Sequence, residues 1–109
     1  LAGKARATEL MLLGEKLPAA KAFEWGMIHK VVEHDSLMAE AGTLAARLAA
    51  MPTVALGIMR KNLVEALECD FATALAREAE GQRIAANTND AREGAISFLQ
   101  KRKPNFTGS

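Results

Sequence analysis

The chain has 109 residues, half of them hydrophobic and a quarter charged, so it is long enough and apolar enough to bury a core without disulfides or metals. Its net charge of +1 argues against a general nucleic-acid-binding protein, and its single cysteine, Cys69, cannot form an intramolecular disulfide. No run approaches the roughly 20 apolar residues that a membrane span needs, and no hydrophobic leader is visible. We therefore expect a soluble protein of the reducing cytoplasm that binds neither nucleic acid nor membrane.

The first segment, LAGKARATELMLLG, has no initiator methionine and enters a helical pattern almost at once, which suggests a fragment of a longer protein. Leu10, Leu13 and Leu17 recur at helical spacing, and Gly14 is well placed to end this helix in a left-handed cap. A second, short helix is expected to begin at Pro18 and to stop at Gly26.

The next segment, MIHKVVEH, is the one convincing extended stretch. Ile28, Val31 and Val32 are β-branched, and Gly26 and Asp35 bound the run. A single strand cannot form a sheet, so this stretch does not change the expected fold class.

Four further helices follow. The first begins at Asp35 or Ser36, and the next opens after Pro52. Asp70 is expected to cap the third. The last begins at NDAREG, where Asp90 and Glu93 have the spacing of a capping box, and is expected to end at Pro104. The prediction is therefore a mainly α protein with about six helices and one short extended stretch, packed as a bundle.

No catalytic or metal-binding constellation is evident from these residues. His29 and His34 share no helical face and have no carboxylate partner, and Cys69 has no neighbouring base, so structural or solvated roles are expected for all three. Trp25 either lines a pocket or packs against a neighbouring helix, and packing is the commoner role of such a residue. The single glycines Gly42, Gly57 and Gly81 belong to no phosphate-binding loop, and close helix crossings are their expected role.

Two segments carry a resemblance to a known family. GKARATELMLLGEKLPAAKAFEWGMIHKVV and DAREGAISFLQKRKPNFTG, in this order and spacing, resemble the C-terminal portion of the enoyl-CoA hydratase/isomerase (crotonase) family, and the match spans essentially the whole chain. Family members often have a serine before the second helix, where this chain has Pro18, which offers no side-chain cap.

The resemblance implies a division of labour within a longer protein. Residues 1–50 would be the last helical segment of the crotonase α/β spiral core, and residues 51–109 a C-terminal helical region that makes trimer or hexamer contacts. The oxyanion-hole amides and catalytic carboxylates of the family lie upstream, so this chain is expected to contain no catalytic residue and to be inactive alone. Neither a metal nor a cofactor is implied, since coenzyme A is part of the substrate.

The cationic end of the last helix has three competing explanations. Lys101, Arg102 and Lys103 could complement the negative pole of the helix, they could bind nucleic acid, or they could meet a phosphate-bearing ligand. The family resemblance favours the third explanation for two residues: Phe98 matches the aromatic residue beside the adenine of CoA, and Lys101 matches the cation near its phosphates. Their spacing of three places them on one helical face. Arg102 and Lys103 keep the helix-terminus interpretation.

The expected function of the intact protein is to hydrate or isomerise an enoyl-CoA thioester through an oxyanion-stabilised enolate. The residues that separate hydratases from isomerases lie upstream. The segment MPTVALGIMRKNLVEAL slightly favours the branch of the family that acts on ring-derived phenylacetyl-CoA intermediates. The alternative is a non-catalytic helical oligomerisation or interaction module.

Overall fold

A computed structural model describes residues 2–109, and within them it contains α-helices, one short 3-10 helix and no β-strand. The mainly α prediction is therefore confirmed. In chain order the elements are α1 (Lys4–Leu13), α2 (Ala19–Glu24), the 3-10 helix (His34–Ser36), α3 (Leu37–Ala49), α4 (Thr53–Glu65), α5 (Phe71–Ala86) and α6 (Asn89–Leu99).

The chain divides into two compact units, one that reaches Ala41 and one that covers Gly42–Ser109. This division falls inside α3, near its N-terminal end, whereas the boundary expected from the sequence, between residues 50 and 51, falls just after its C-terminal end. The assignment of residues 1–50 to a core and 51–109 to an oligomerisation region concerns the longer protein and stays a prediction.

In the first unit, glycines end both helices as expected. Gly14 takes a left-handed conformation with φ 65° and donates its N–H to Leu10 O at 3.1 Å, and Gly26, with φ 71°, follows the end of α2. Trp25 lies beneath the guanidinium of Arg6, which is 5.0 Å from the ring centroid. This cation–π contact joins the end of α2 to α1, so the packing explanation of Trp25 holds.

The extended stretch does not form a strand. Residues 27–29 bend, residues 30–33 have no regular structure, and the chain then enters the 3-10 helix. Glu33 does have β-region angles, with φ −60° and ψ 146°, but no second strand exists among residues 2–109 to accept a ladder of hydrogen bonds. An ion pair of 2.6 Å between Lys30 and Glu40 ties this stretch to α3.

In the second unit, α4 and α5 pack against each other around Gly81. A Cβ atom at this position would lie 2.5 Å from Ile58 Cγ2 and 3.2 Å from Asn62 Nδ2, so only glycine lets the two helices approach this closely. The close-crossing prediction is confirmed for Gly81 and is wrong for Gly42 and Gly57, where an added Cβ would meet open space.

The loop between α4 and α5 ends at Asp70, which caps α5 as predicted. Thr73 N–H donates to Asp70 Oδ1 at 2.8 Å, and this bond lowers the pKa of Asp70. An ion pair of 3.3 Å between Arg77 and Glu65 adds a second link between the two helices.

Apolar side chains lie mostly at the surface of the described chain. Ala22 is the one hydrophobic residue that is buried among residues 2–109. No single helix in this range is long and apolar enough to cross a membrane, although residues 34–49 and 53–65, taken together as a bent pair, meet the length and composition criteria. The most exposed large apolar side chains are Met11, Leu12, Met38, Leu63, Leu67, Phe71, Phe98 and Leu99.

Candidate functional site at the end of helix α6

Helix α6 is capped by a residue that the sequence pattern did not single out. Thr88 Oγ1 accepts a hydrogen bond from Ala91 N–H at 3.0 Å and donates one to Ala85 O at 2.7 Å. The predicted capping box of Asp90 and Glu93 is therefore wrong. Threonine is one of the preferred N-cap residues, although it ranks below aspartate, and its use here leaves both carboxylates available for contacts with the chain that follows α6.

The helix ends at Leu99, five residues before Pro104, in a Schellman turn. Arg102 N–H donates to Ser97 O at 3.0 Å, and Lys101 N–H donates to Phe98 O at 3.1 Å. The prediction that the helix continues to Pro104 is wrong because these two bonds satisfy the last carbonyls and turn the chain away from the helix axis.

Lys101 occupies the position of that turn where glycine is usual. Its φ is 53°, and it is the only residue other than glycine with a positive φ among residues 2–109. A left-handed backbone costs a residue with a Cβ about 1–2 kcal/mol. The prediction that Lys101 shares a helical face with Phe98 is therefore wrong, because α6 has ended before Lys101. It stands beyond the helix end in a conformation that the surrounding structure must hold.

From Gln100 onward the chain turns back along α6. We call residues 100–109 the return segment. Phe106 lies over Gly94, where an added Cβ would be 3.7 Å from the ring. Two carboxylates of α6 hold the segment, one near each of its ends.

Glu93 forms the first anchor. Arg102 donates to it through two nitrogens, Nη1 to Oε1 at 2.5 Å and Nη2 to Oε2 at 2.8 Å, and Asn105 N–H donates to Oε1 at 2.8 Å. These bonds, that of Arg102 first, lower the pKa of Glu93 to about 2, and the same pair raises the pKa of Arg102. Arg102 therefore acts through an ion pair rather than as a helix-terminus cation.

Asp90 forms the second anchor and is only 2% exposed. Thr107 N–H donates to its Oδ1 at 2.7 Å and Gly108 N–H to its Oδ2 at 2.9 Å, while its own N–H donates to Ser109 O at 3.0 Å. A buried carboxylate is stable here because it receives two backbone donors in place of water.

Phe98 and Lys101, the two residues favoured by the resemblance, lie at the turn that ends α6. The Phe98 side chain is 82% exposed, and Lys101 is exposed and takes part in none of the ion pairs among residues 2–109. The Lys101 N–H bond to Phe98 O joins their backbones. The arrangement offers a ring face and an ammonium group to a ligand that combines an aromatic group with negative charge.

The other residues considered from the sequence do not gather into a site. No three His, Cys, Asp or Glu side chains of the described range lie close enough to hold a metal ion. Cys69 is a half-buried free thiol immediately before the cap of α5.

Sequence reasoning missed both anchors of the return segment. Glu93 and Arg102 are nine residues apart, which is not a helical contact. One signal was available: Pro104 and Asn105 favour a turn, and a chain that reverses after α6 brings its residues opposite those of the helix.

A concave surface lies between α4 and α5. This open groove has a volume of about 550 Å³, and its lining is mainly apolar, including Ile58, Met59 and Leu63, with Asn62, Glu78 and Gln82 as its polar residues. Glu78 is the one ionisable side chain in its lining, so the groove offers no pair of groups for acid–base catalysis.

Comparison with known proteins identifies the family. A family model for enoyl-CoA hydratase/isomerase matches residues 1–109. The chain is 44% identical over 108 residues to the 1,2-epoxyphenylacetyl-CoA isomerase of Escherichia coli strain K12, covering 99% of the chain and 41% of that protein. It is 30% identical over 106 residues to the crotonyl-CoA hydratase of Syntrophomonas wolfei, covering 97% of the chain and 41% of that protein. The chain thus spans about two fifths of the length of these curated relatives.

The solved structures agree. A crystal structure of a Mycobacterium abscessus protein described as an enoyl-CoA hydratase/isomerase is 35% identical and superimposes with a TM-score of 0.95 over 100% of this chain and 42% of its own. An enoyl-CoA hydratase from Bacillus anthracis, 28% identical, gives 0.92 over the same shares of the two chains. Because the match extends over every residue and the fold is shared, the chain belongs to the enoyl-CoA hydratase/isomerase family.

Proposed function

We propose that the whole protein acts on enoyl-CoA thioesters, which it hydrates or isomerises through an enolate. In this chemistry hydrogen-bond donors stabilise the negative charge that develops on the thioester oxygen, and a carboxylate transfers the proton. The family match and the names of the relatives support this reaction class. The proposal also places the protein in the cytoplasm and gives it no cofactor, since CoA is part of the substrate.

Isomerisation of a ring-derived CoA ester is the finer proposal. The 44% identity to 1,2-epoxyphenylacetyl-CoA isomerase, against 30% to the crotonyl-CoA hydratase, supports it. Assaying the whole protein with 1,2-epoxyphenylacetyl-CoA and with crotonyl-CoA tests it. Faster turnover of the epoxide is expected, whereas a preference for crotonyl-CoA would assign the protein to the hydratases.

Within that protein, this chain would bind the adenosine end of CoA through Phe98 and Lys101. The observation that carries the proposal is an exposed ring on the last turn of α6 and, three residues further on, an exposed ammonium group that joins no ion pair among residues 2–109. The ring can stack on adenine, and the ammonium group can attract a phosphate.

A catalytic role for the carboxylates of this region is not part of the proposal. Asp90 is buried and accepts two backbone N–H bonds, and a Glu93 with a pKa of about 2 is a poor proton acceptor near neutral pH. We therefore expect the chain alone to give no turnover of crotonyl-CoA above the buffer rate.

Replacing Lys101 by alanine in the whole enzyme tests the CoA role. Lys101→Ala should weaken binding of the CoA ester by about 1 kcal/mol, which is about a fivefold rise in KM, with kcat little changed because the contact is equal in ground and transition states. Steady-state kinetics at low salt measure both parameters.

The control is a pantetheine thioester, which has the same acyl group but neither adenosine nor its phosphates. Its kinetics should not respond to Lys101→Ala. If the KM for the full CoA ester is unchanged by the substitution at low salt, Lys101 is only a helix-end cation and the proposed role fails.

A homo-oligomer, trimeric or hexameric, is the proposed assembly, and the exposed apolar faces of the helices support it. The same faces favour the second candidate function, a non-catalytic oligomerisation module. Absence of CoA-ester turnover by the whole protein would select that candidate.

A further inference from the structure

The backbone of Lys101 needs an explanation beyond the turn that it makes. A lysine at the left-handed position carries a backbone cost that glycine would not. The residue immediately after it, Arg102, makes the two-nitrogen bond to Glu93, and Glu93 also accepts the N–H of Asn105. Arg102 and Asn105 lie within four residues of Lys101, and both donate to the Glu93 carboxylate.

A two-nitrogen contact between guanidinium and carboxylate fixes direction as well as distance. The Schellman bonds hold the turn on the side of Phe98 and Ser97, and Glu93 holds it on the side of Arg102. Lys101 lies between these two constraints, so loss of the Glu93 contacts frees the backbone to leave the left-handed region.

We infer that Glu93 is a positioning residue for CoA recognition: by holding Arg102 and Asn105 it keeps Lys101 in the left-handed turn from which its ammonium group meets the phosphates. The inference rests on the proposed function of Lys101 and adds a residue that does not itself touch the ligand.

The direction in which Glu93→Gln changes the affinity for coenzyme A distinguishes a positioning role from a purely electrostatic one. Glu93 is negative, and so is the CoA phosphate group. Replacing Glu93 by glutamine removes a repelling charge and releases the cation of Arg102, so electrostatics alone would tighten binding. Positioning requires the opposite result, because a mobile Lys101 must be ordered before it binds.

The experiment is isothermal titration calorimetry of the whole protein with coenzyme A at low salt. Glu93→Gln should raise the Kd about threefold or more. In a Lys101→Ala background the same change should have no such effect, since no ammonium group remains to be positioned. A Kd that stays the same or falls on Glu93→Gln in the wild-type background would overturn the inference.

Two further variants guard against simple loss of structure. Asp90→Asn is the matched control, because it makes the same carboxylate-to-amide change on the same helix but loosens residues 107–109, and it should leave the Kd within about twofold of wild type. Arg102→Lys keeps the charge but cannot reproduce the two-nitrogen contact, so it should also raise the Kd. Equal weakening by Asp90→Asn, or no weakening by Arg102→Lys, would contradict the inference.

The outcomes also separate this inference from the proposed function. If Lys101→Ala has no effect on the Kd for coenzyme A, the CoA role of Lys101 fails. If Lys101→Ala weakens binding and Glu93→Gln does not, the CoA role stands and the positioning role of Glu93 fails.

Discussion

At the scale of single residues, Lys101 combines a costly backbone with a charged side chain. Its φ of 53° places its Cβ close to its own carbonyl oxygen, and the side chain pairs with no carboxylate among residues 2–109. Glycine would form this turn at lower cost but would supply no cation. The lysine is therefore explained by its side chain and not by the turn.

Two substitutions of Lys101 separate these properties. Lys101→Gly should be more stable than Lys101→Ala by about 1 kcal/mol, because only alanine keeps the Cβ that the left-handed conformation disfavours. Both should lose the same affinity for coenzyme A, since both lack the ammonium group. Urea denaturation and calorimetry of the two variants measure these quantities. An alanine variant as stable as the glycine variant would show that the turn opens when the side chain is removed.

The sequence could identify Lys101 only through the family resemblance, and it could not predict its conformation. Lysine and arginine are good helix formers, so QKRKP favours a helix up to the proline. The helix ends at Leu99 in the Schellman bonds of Lys101 and Arg102, and Glu93 holds that turn through residues nine and twelve positions away, a separation that leaves no local signal. The left-handed turn at Gly14 was predictable, because a glycine after the last apolar residue of a helical pattern is the usual sign of such a turn.

At the scale of elements, α6 and the return segment form a unit whose stability depends on ionised Glu93. The folded-state pKa is about 2 against an ordinary value of 4.5, so Glu93 contributes stability that is fully present above about pH 4.5. That contribution should be lost as the pH falls toward about 2. Asp90 adds the second anchor through backbone donors.

The pH dependence is measured as the difference in free energy of unfolding between the wild type and Glu93→Gln. This difference should be constant from neutral pH down to about 4.5 and should shrink steadily below it, because the protonated acid resembles the amide. Comparison with the variant cancels the titration of the other carboxylates. A difference that stays constant down to pH 2.5 would mean that the ion pair adds nothing to stability.

The contact between α4 and α5 gives a second test at this scale, with a control inside the same pair of helices. Gly81→Ala should destabilise by about 1–3 kcal/mol, because its Cβ would meet the branched side chain of Ile58 at 2.5 Å. Gly57→Ala, in α4 and facing open space, should stabilise by up to about 1 kcal/mol. Thermal unfolding of both variants decides; effects of the same sign would contradict the close crossing.

Apolar periodicity, capping residues, glycines and prolines together predicted the six helices among residues 2–109, and Gly14, Pro18, Gly26 and Pro52 marked several of their ends. Which of the interior glycines makes a crossing was not predictable, since the apolar neighbours Leu56 and Ile58 flank Gly57, which faces open space, whereas the polar neighbours Glu80 and Gln82 flank Gly81, which makes the crossing. The extended stretch after Gly26 had the right residues for a strand but no partner among residues 2–109.

At the scale of the whole molecule, the described chain has far more surface than its mass accounts for. The accessible surface is 9037 Å², whereas a compact monomer of 11.7 kDa would expose about 5,900 Å². Dividing the same mass into two separate compact bodies raises that figure to only about 7,000 Å². The excess includes large apolar side chains on several helices, and Leu67 alone is 86% exposed.

A composition that is half hydrophobic predicted a buried core, and that expectation is wrong for this chain taken alone. The helices have apolar faces, as the sequence pattern required, but the described residues do not cover them. Sequence periodicity shows which face of a helix is apolar and not what lies against it.

Self-association follows from this exposed apolar surface. Apolar surface that becomes buried between copies stabilises their contact by about 25 cal/mol per Å², so copies of the chain should form dimers or trimers at micromolar concentrations. Sedimentation equilibrium over a dilution series measures the association constant. Leu63→Gln removes exposed apolar surface from α4 and should weaken association, whereas Arg60→Gln, a polar replacement on the same helix, should change it much less. A clean monomer at high micromolar concentration, or equal effects of the two substitutions, would contradict association through these faces.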